Sequence, residues 1–527
     1  MIMMCSRQNF LNSVPGGLAV SAALLWTSSK SYAENDTLDR QWVAVGRNGK
    51  LEYKKTPRED RIMDFSHAGY MGGGVALPKV PAKKIVGPSG GDDTARIQAA
   101  INQISEKPLV RGFRGAVLLK QGTFRCSGAL KIAASGVVLR GAGMDKGGTT
   151  IEMVGEPHVC IHIESNEKNS FLPVDNAAPI RITDDYVPSG TIILTLEDAS
   201  DLTVGDAVII RRPITSEWIS FMGMDTLVRD GENQTWINPG SVLNFERRVR
   251  GIRGNRIALD VALSDSIDAR FTGREGATVV KAAPSTRISH IGVEGIRIIS
   301  KPPVGDLTVK KYEGIELRYC KDCWVRYVSS HEPVTVVRVN SSDCTQVTLQ
   351  EIEIFHSQQI KKGAGYPADF LVRGSRVLID RCSSKGDGAF FYSSLGMSDT
   401  SAVILNCDFH GKGSVQPHMR WNTGLLVDAC RVPDGGIEFI NRRTAGSGHG
   451  WTIGWAVAWN CVAGNFKNEQ PPGSMNWVVG CSGKTEEGEN FLSHGQRVTP
   501  GSLYLAQLRE RLGTAAVRNI GYGLGGI

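Results

Sequence analysis

The stretch Val377-Leu-Ile-Asp-Arg-Cys382 sets a pattern that returns through the last third of the 527-residue chain. Its later copies are Val403-Ile-Leu-Asn-Cys407, Leu425-Leu-Val-Asp-Ala-Cys430, Ala456-Val-Ala-Trp-Asn-Cys461 and Asn476-Trp-Val-Val-Gly-Cys481. Successive cysteines are 25, 23, 31 and 20 residues apart. In two earlier segments Val328 and Ile354 stand at the cysteine position. Short β-rich runs that repeat at this period between turn residues indicate a solenoid.

A unit of this length cannot bury an apolar face alone, whereas stacked units form a continuous core. A free thiol packs as a small hydrophobe, so cysteine suits a column inside such a stack. The alternative is a β-sandwich with cysteines scattered by chance, but the shared register of five copies favours the stack. We therefore predict an all-β fold, a right-handed parallel β-helix (solenoid) with a small inserted antiparallel β unit.

Composition excludes several classes of protein. The 60 basic and 53 acidic residues leave a net charge of +7, which suits an acidic substrate and is too weak to indicate nucleic acid. No apolar run after residue 40 is long enough for a membrane helix, so no membrane association is expected once a signal is removed.

The first 33 residues resemble an export signal. Arg7 precedes an apolar run at residues 16–26, and Ser31-Tyr-Ala33 offers small residues for cleavage. The segment around Arg7 is similar to a twin-arginine signal whose second arginine is replaced by Gln8, so the export route stays open. We expect a periplasmic or secreted protein.

Eleven cysteines in an exported chain raise the question of disulfides. Equivalent residues of stacked coils lie about 4.8 Å apart with parallel side-chain directions, which is poor geometry for bridging. Cys320 and Cys323 have the spacing of half a zinc knuckle or of a redox pair, but no second pair with matching ligands follows. We predict structural, unpaired thiols.

Changes in spacing divide the chain into five segments. They are an export signal at 1–33, an N-terminal cap with the first coils at 34–175, an inserted antiparallel unit at 176–275, the main coils at 276–484 and a C-terminal cap at 485–527. Thr94 begins an amphipathic helix in the first cap, and residues 502–512 form another that we expect to cover the open end of the last coil.

Residues 64–155 resemble the pectate-lyase-like superfamily of carbohydrate-active β-helix proteins. The matching motifs are Gly91-Asp-Asp-Thr-Ala-Arg-Ile-Gln-Ala-Ala-Ile101, Gly122-Thr-Phe124 and Arg140-Gly-Ala-Gly143. The resemblance implies a β-helix and a carbohydrate ligand. It does not specify a reaction, because the superfamily holds lyases, hydrolases, epimerases and non-catalytic tailspikes.

Aromatic and basic residues in the insertion allow two interpretations. They either form the core of a unit that covers the coils or clamp a charged sugar by ring stacking and guanidinium pairing. The residues concerned are Trp218, Trp236, Arg211, Arg212, Arg247 and Arg248.

The strongest functional signal is a group of His, Arg and Trp residues between positions 416 and 455. We predict catalytic roles for His418, Arg420, His449 and Lys385, and substrate contacts for Arg442, Arg443, Trp421, Trp451 and Asp387. His331, Lys385 and His410 each stand three residues after the cysteine position of their coil, so we expect them to align on neighbouring coils. Arg420 and Arg443 each follow a cysteine by thirteen residues and are expected to stack.

These residue types favour a lyase that cleaves a uronate-containing polysaccharide by β-elimination. The reaction needs a cation for the carboxylate, a base for the C5 proton and an acid for the leaving oxygen. A glycoside hydrolase is the alternative and needs two carboxylates, for which the candidates are Asp369, Asp387, Asp399, Asp408 and Glu438. A non-catalytic glycan-binding protein is a third possibility. The sequence identifies no cofactor and no cluster of carboxylates for a metal.

Overall fold

The computed structural model describes residues 37–167, 172–175, 177–303, 310–357, 368–387 and 390–525. The export signal expected at residues 1–33 lies outside this range. Among the described residues, no helix is long and apolar enough to cross a membrane.

The chain coils into a right-handed parallel β-helix with three sheets, as the repeat predicted. Each coil contributes one strand to each sheet and then climbs to the next coil, so neighbouring strands are parallel. In the first sheet, for example, Leu378 pairs with Val403 and Leu426 with Val457 on successive coils. The apolar side chains inside the coils form one continuous core.

The strands of the first sheet precede the cysteine column. Their bounds are Ala82–Val86, Gly115–Leu119, Val137–Arg140, the first half of Gly292–Ile299, the middle of Cys320–His331 and of Thr345–Phe355, Leu378–Asp380, Ser398–Leu405, Asn422–Asp428, Val457–Trp459, Trp477–Val479 and Phe491–Leu492. Two short strands flank this sheet at Ile288–Ser289 and Ile453–Gly454.

The second and third sheets follow the cysteine column in each coil. The second contains Gly122–Cys126, Thr149–Met153, the ends of Gly292–Ile299, Cys320–His331 and Thr345–Phe355, then Ser383–Lys385, Asp408–His410 and the starts of Arg431–Phe439, Val462–Asn468 and Ser482–Gly488. The third contains Leu130–Ile132, Val159–Glu164, Glu313–Arg318, Val337–Val339, Ala368–Val372, Phe390–Ser394, Ser414–Val415 and the ends of the last three strands of the second.

A single residue in left-handed conformation turns each coil from the first sheet into the second. In the cysteine-bearing coils it is the residue just before the cysteine: Arg381, Asn406, Ala429, Asn460 and Gly480, with φ between 49° and 65°. Because of this turn, the N–H of the cysteine makes no hydrogen bond within the sheet. It donates instead to the thiol of the cysteine on the next coil. The Cys382 N–H donates to Cys407 Sγ at 3.4 Å, and the Cys407 N–H donates to Cys430 Sγ at 3.5 Å.

The thiols also donate hydrogen bonds to backbone carbonyls. Valine cannot do so, which explains why cysteine fills the column. Cys430 Sγ donates to the Ile404 carbonyl at 3.2 Å. Burial raises the pKa of Cys407 and Cys430, so both remain thiols. All ten cysteines in the described part of the chain are buried and unpaired, including Cys320 and Cys344, whose sulfurs lie 3.8 Å apart.

The register of the second sheet confirms one expected alignment and corrects another. Lys385 pairs with His410, and Phe355 joins them to His331. The assignment of Ile354 to the cysteine column is wrong by two residues. Glu353 pairs with Ser383, so Ile352 stands opposite Cys382, and Ile352 also pairs with Val328.

The helix predicted from Thr94 forms at Thr94–Ser105 and packs against the first coil. Its buried residues Ile97, Ala100, Ile101 and Ile104 belong to the continuous core. Asp92 accepts the Thr94 N–H at 2.9 Å and holds the start of the helix.

The inserted antiparallel unit lies between the second and third coils. Its six-stranded sheet runs in the order Ile180–Arg181, Thr278–Lys281, Ala207–Pro213, Val242–Arg253, Arg256–Leu259 and Ile193–Thr195. Smaller elements are the pair Tyr186–Val187 and Ile267–Asp268, the hairpin Val228–Arg229 and Glu232–Asn233, the helix Ser216–Phe221 and the 3-10 turn Ala269–Phe271. Buried Arg247 ties the unit to the coils, because its guanidinium bonds Asp399 at 2.7 Å.

The two ends of the described chain pack together on the outer face of the first sheet. The elements are the strands Val43–Val45 and Leu51–Tyr53, the 3-10 turn Tyr70–Gly72 and the helices Leu503–Leu512 and Thr514–Asn519. Residues 502–512 were expected to cover the open end of the last coil, but Ser502 donates to Asp428 at 2.7 Å and Tyr504 donates to the Ala68 carbonyl. The helix therefore lies along the side of the coils.

Ala429 has a left-handed conformation at the turn between the first and second sheets, so we predict that Ala429→Gly stabilises the folded protein. A non-glycine residue in this conformation costs about 1–2 kcal/mol, and the added freedom of glycine in the unfolded chain costs about 0.4–1 kcal/mol. We expect the free energy of unfolding in urea to rise by about 0.5–1 kcal/mol. Ala458→Gly, at a buried strand position without positive φ, is the control and should lower it. Equal losses in both variants would contradict the role of the corner.

Candidate functional site

The candidate site lies where the chain leaves the third sheet and returns to the first. After Ser414–Val415 the chain reaches His418, and the His418 N–H donates to the Ser394 carbonyl of the preceding coil at 3.2 Å. Arg420 and Trp421 then adopt left-handed conformations, with φ of 55° and 59°. This double turn directs two successive side chains differently: Arg420 is partly exposed, whereas Trp421 is buried.

A glycine-rich loop brings His449 to the same place. The Arg420 N–H donates to the His449 carbonyl at 3.0 Å, which joins the two corners. Gly446 lies against the His449 ring, and a Cβ there would lie 2.1 Å from Nε2. Gly450 packs on the Trp236 ring of the inserted unit, 2.4 Å from where a Cβ would stand. The loop therefore needs glycine at both positions to hold the imidazole.

His418 and His449 form a pair of neutral imidazoles. Their ring centroids lie 4.7 Å apart at 61°, and each residue keeps 9% of its surface exposed. Burial, followed by the charge of Arg442, lowers the pKa of His418 to about 3 and that of His449 to about 4. Nδ1 of His449 is buried and has no hydrogen-bond partner in the described part of the chain. Both rings are thus unprotonated at neutral pH, and each is a weak base.

Two arginines flank the pair, and a change in coil length decides which two. The spacing between coils is 23 residues from Asp408 to Arg431 but 22 from Ser414 to Gly436. At the corner itself the spacing is 31 residues, from Asn422 to Ile453, and the Arg420 N–H bonds the His449 carbonyl, so the expected stacking of Arg420 on Arg443 is wrong. Arg442 donates to the His418 carbonyl at 3.3 Å, whereas Arg443 points away and lies 3.7 Å from Glu469.

The tryptophans of the predicted site hold the inserted unit on the coils. Trp421 is 2% exposed, donates its indole N–H to Asp265 and packs against Trp218 and Trp236. Trp451 donates to the Met222 carbonyl at 3.0 Å. Trp236 is buried as well, and its N–H donates to the Trp451 carbonyl. The geometry therefore leaves Trp421 and Trp236 no open ring face for a sugar.

Lys385 and Asp387 lie at the opposite edge of the third sheet, where the second sheet turns into it. They border an open hollow of about 660 Å³ together with His356 and His410. Lys385 is exposed, and Asp387 accepts the Lys412 N–H at 3.1 Å. His418 and His449 are not among the described residues that line this hollow.

The carboxylates considered for hydrolysis are mostly engaged elsewhere. Asp369 is buried and bonds His356 at 2.7 Å, and Asp399 holds Arg247. Asp408 contacts His410 at 3.0 Å on the second sheet. Glu438 remains near the site, where the Gln416 amide donates to it.

Phe390 also belongs to the site, although its pattern in the sequence is ordinary for a strand. Its ring centroid lies 6.1 Å from that of His418 and 6.0 Å from the Arg442 guanidinium carbon. Only the pairing of coils could have revealed it. Within the described ranges, no group of three or more His, Cys, Asp or Glu residues could hold a metal ion.

Comparison with known proteins finds similarity at the level of structure. The sequence matches no model of a known protein family and no curated protein. The tailspike protein gp49 of Pseudomonas phage LKA1 is 12% identical, with a TM-score of 0.38 over 74% of this chain and 56% of the tailspike. The chain thus spans about half of that protein.

Two polysaccharide-modifying enzymes are similar to the same extent. An alginate lyase from Paenibacillus sp. is 9% identical, with a TM-score of 0.38 over 78% of this chain and 96% of the lyase. The A-module of a mannuronan C-5 epimerase from Azotobacter vinelandii is 12% identical, with a TM-score of 0.31 over 83% of this chain and 98% of the module. At this level of similarity, neither a reaction nor a substrate passes from these proteins to the chain.

The geometry predicts that His418 and His449 stay neutral well below pH 6, which histidine NMR can measure. Removing a neighbouring cation favours the imidazolium, so Arg442→Gln should raise both pKa values. Arg443→Gln is the matched control and should leave them unchanged. Because the folded pKa values lie below the unfolded value of about 6.5, these groups should destabilise the fold as pH falls below about 6.5. Titration of either ring near its unfolded value would contradict this arrangement.

Proposed function

We propose that the protein is an exported enzyme that degrades an acidic, uronate-containing polysaccharide by β-elimination at the His418 and His449 pair. The observation that supports this most is two neutral imidazoles in contact, placed between Arg420 and Arg442. The superfamily resemblance of residues 64–155 supports a carbohydrate substrate. Export rests on the signal expected at residues 1–33.

The arginines would bind the carboxylate of the sugar next to the cleaved bond. Guanidinium groups pair with carboxylates through charge-assisted hydrogen bonds. Arg420 is partly exposed and donates to exposed Ser447 Oγ at 2.8 Å, so its guanidinium lies within reach of a ligand at the surface. Neutralising the carboxylate acidifies the C5 proton and stabilises the carbanion-like transition state.

An imidazole then removes the C5 proton. The C5–H electrons form the C4–C5 double bond, the C4–O bond breaks, and the leaving oxygen takes a proton from the imidazolium that has formed. A pKa of about 3 or 4 makes each ring a weak base in the free enzyme. Burial is the larger cause of these low pKa values, and the charge of Arg442 is the next. A bound carboxylate would offset the arginine charges and so raise the imidazole pKa by that second contribution.

Lys385 and Asp387 would contact the polysaccharide at the far edge of the third sheet. Their hollow is open, and Lys385 can pair with a second carboxylate of the polysaccharide. Hydrolysis is the alternative and would rely on Glu438 as one of two carboxylates. The engagement of Asp369, Asp399 and Asp408 in other contacts favours elimination over that reaction. A glycan-binding protein without catalysis is the third possibility.

The ultraviolet absorbance of unsaturated uronates provides the test. We expect the protein to produce such products from a uronate polysaccharide, and His418→Ala or His449→Ala to lower kcat by about 100-fold or more. Arg442→Gln should lower kcat/KM as well, because it removes a contact to the carboxylate.

The matched control is Arg443→Gln, which should stay close to wild type because Arg443 points away from the pair. New reducing ends without absorbance would mean hydrolysis and would transfer the assignment to Asp387 and Glu438. Binding without either signal would leave a glycan-binding protein.

A further inference from the structure

A cleft of about 260 Å³ lies between the inserted unit and the coils, beside the corner that carries Arg420. The inserted unit contributes residues of its strands Ala207–Pro213 and Val242–Arg253, and the coils contribute the turns around Ser342 and Met397. A protein cavity of about 150 Å³ can hold a benzene ring, so this cleft has room for one pyranose ring.

The cleft is one coil away from Arg420 along the axis of the β-helix. The Met397 N–H donates to the Arg420 carbonyl at 2.6 Å, and Ser398 pairs with Asn422 of the next coil. Neighbouring coils are about 4.8 Å apart, which is close to the length of one sugar residue in an extended chain. A polysaccharide that follows this corner from the imidazole pair would therefore place a neighbouring sugar in the cleft.

The lining combines apolar surface with polar groups that can bind a ligand. Ile209, Val242 and Met397 provide apolar surface for the C–H face of a pyranose ring. Asn244 and Ser342 also line the cleft, and both are exposed. Among the described residues, neither of these two side chains makes a hydrogen bond, so both can bind sugar hydroxyls.

The charges of the lining do not favour an acidic sugar. Three carboxylates and one guanidinium line the cleft, and they belong to Glu246, Asp343, Asp399 and Arg373. Arg287 bonds Glu246 at 2.6 Å from outside the cleft. Arg247 likewise bonds Asp399 at 2.7 Å. The charged groups that remain for a ligand are therefore one carboxylate and one guanidinium.

Asp343 and Arg373 both have hydrogen-bonding capacity left. Within the described ranges, the Asp343 carboxylate accepts from Ser341 Oγ at 3.1 Å, and the exposed Arg373 side chain makes no hydrogen bond. A sugar hydroxyl can donate to Asp343 and accept from Arg373. A sugar carboxylate can only accept, and it would meet Asp343 as a like charge.

We propose that this cleft binds a neutral sugar, so that the polysaccharide cleaved at the imidazole pair carries neutral sugars between its uronates. The inference rests on the proposed function, because Arg420 and Arg442 are what would bind the uronate. The cleft then selects the neighbouring sugar by its hydroxyls and disfavours a second carboxylate at that position. The substrate would thus be a mixed polysaccharide and not a polymer of uronates alone.

Affinity electrophoresis of the mature protein with the His418→Ala substitution tests the proposal, because this variant should degrade a polymer in the gel too slowly to affect binding. Deacetylated gellan and hyaluronan are mixed polymers, in which neutral sugars separate the uronates. Polygalacturonate and alginate consist of uronates alone. We expect the apparent Kd for at least one mixed polymer to be about tenfold lower than for either uronate polymer.

Asp343→Asn, added to the same protein, tests the role of the cleft. It keeps the size of the side chain but removes the charge, so it should reduce the preference for the mixed polymer about tenfold. Asp201→Asn changes an exposed aspartate of the inserted unit that does not line the cleft, and it should leave the preference unchanged.

Several results would overturn the neutral-sugar site. They are a uronate polymer that binds as tightly as both mixed polymers, equal effects of Asp343→Asn and Asp201→Asn, and no retardation by any of the four polymers. Arg373→Gln would also overturn it by weakening the binding of polygalacturonate alone, since the cleft would then hold a carboxylate. Failure of the proposed reaction gives a different result: the wild type would release no unsaturated product, while the preference measured by binding would persist.

Discussion

One left-handed residue per coil, followed by a buried thiol, is the constraint on which the rest of the structure depends. The turn at Asn406 or Ala429 bends the chain between two sheets and takes one N–H out of the ladder. The thiol of the next coil accepts that N–H and donates in turn to a carbonyl, so successive coils are locked in register. Valine or isoleucine can fill the same space, as Val328 and Ile352 do, but neither can make these bonds.

The repeat therefore predicted the fold and the alignment of the second sheet well, because that sheet follows the column directly. Accuracy fell with distance from the column. Arg420 was expected to stack on Arg443, but its N–H bonds the His449 carbonyl, and Arg442 bonds the His418 carbonyl. The insertion covers Trp421, which no local pattern reveals. The C-terminal helix was predicted correctly as a helix, but its packing along the first sheet depends on contacts with Asp428 and with Ala68, the second of which spans most of the chain.

The insertion has two consequences for the site. It buries the tryptophans that looked available for a sugar, and it holds the glycine-rich loop that carries His449. Gly450 fits against Trp236, so the loop is positioned by a unit inserted more than 200 residues earlier in the chain. Coils and insertion together create an environment in which two imidazoles lie in contact, neutral, beside guanidiniums. A bound carboxylate would offset the arginine charges, which are the second cause of the low imidazole pKa values after burial.

The measurement that tests this account most directly is a crystal structure of the His449→Ala protein with a uronate oligosaccharide. The account predicts a sugar carboxylate on the guanidiniums of Arg420 and Arg442, with C5 of that sugar facing His418. A sugar bound across Glu438 and a second carboxylate, with no contact to either arginine, would contradict it.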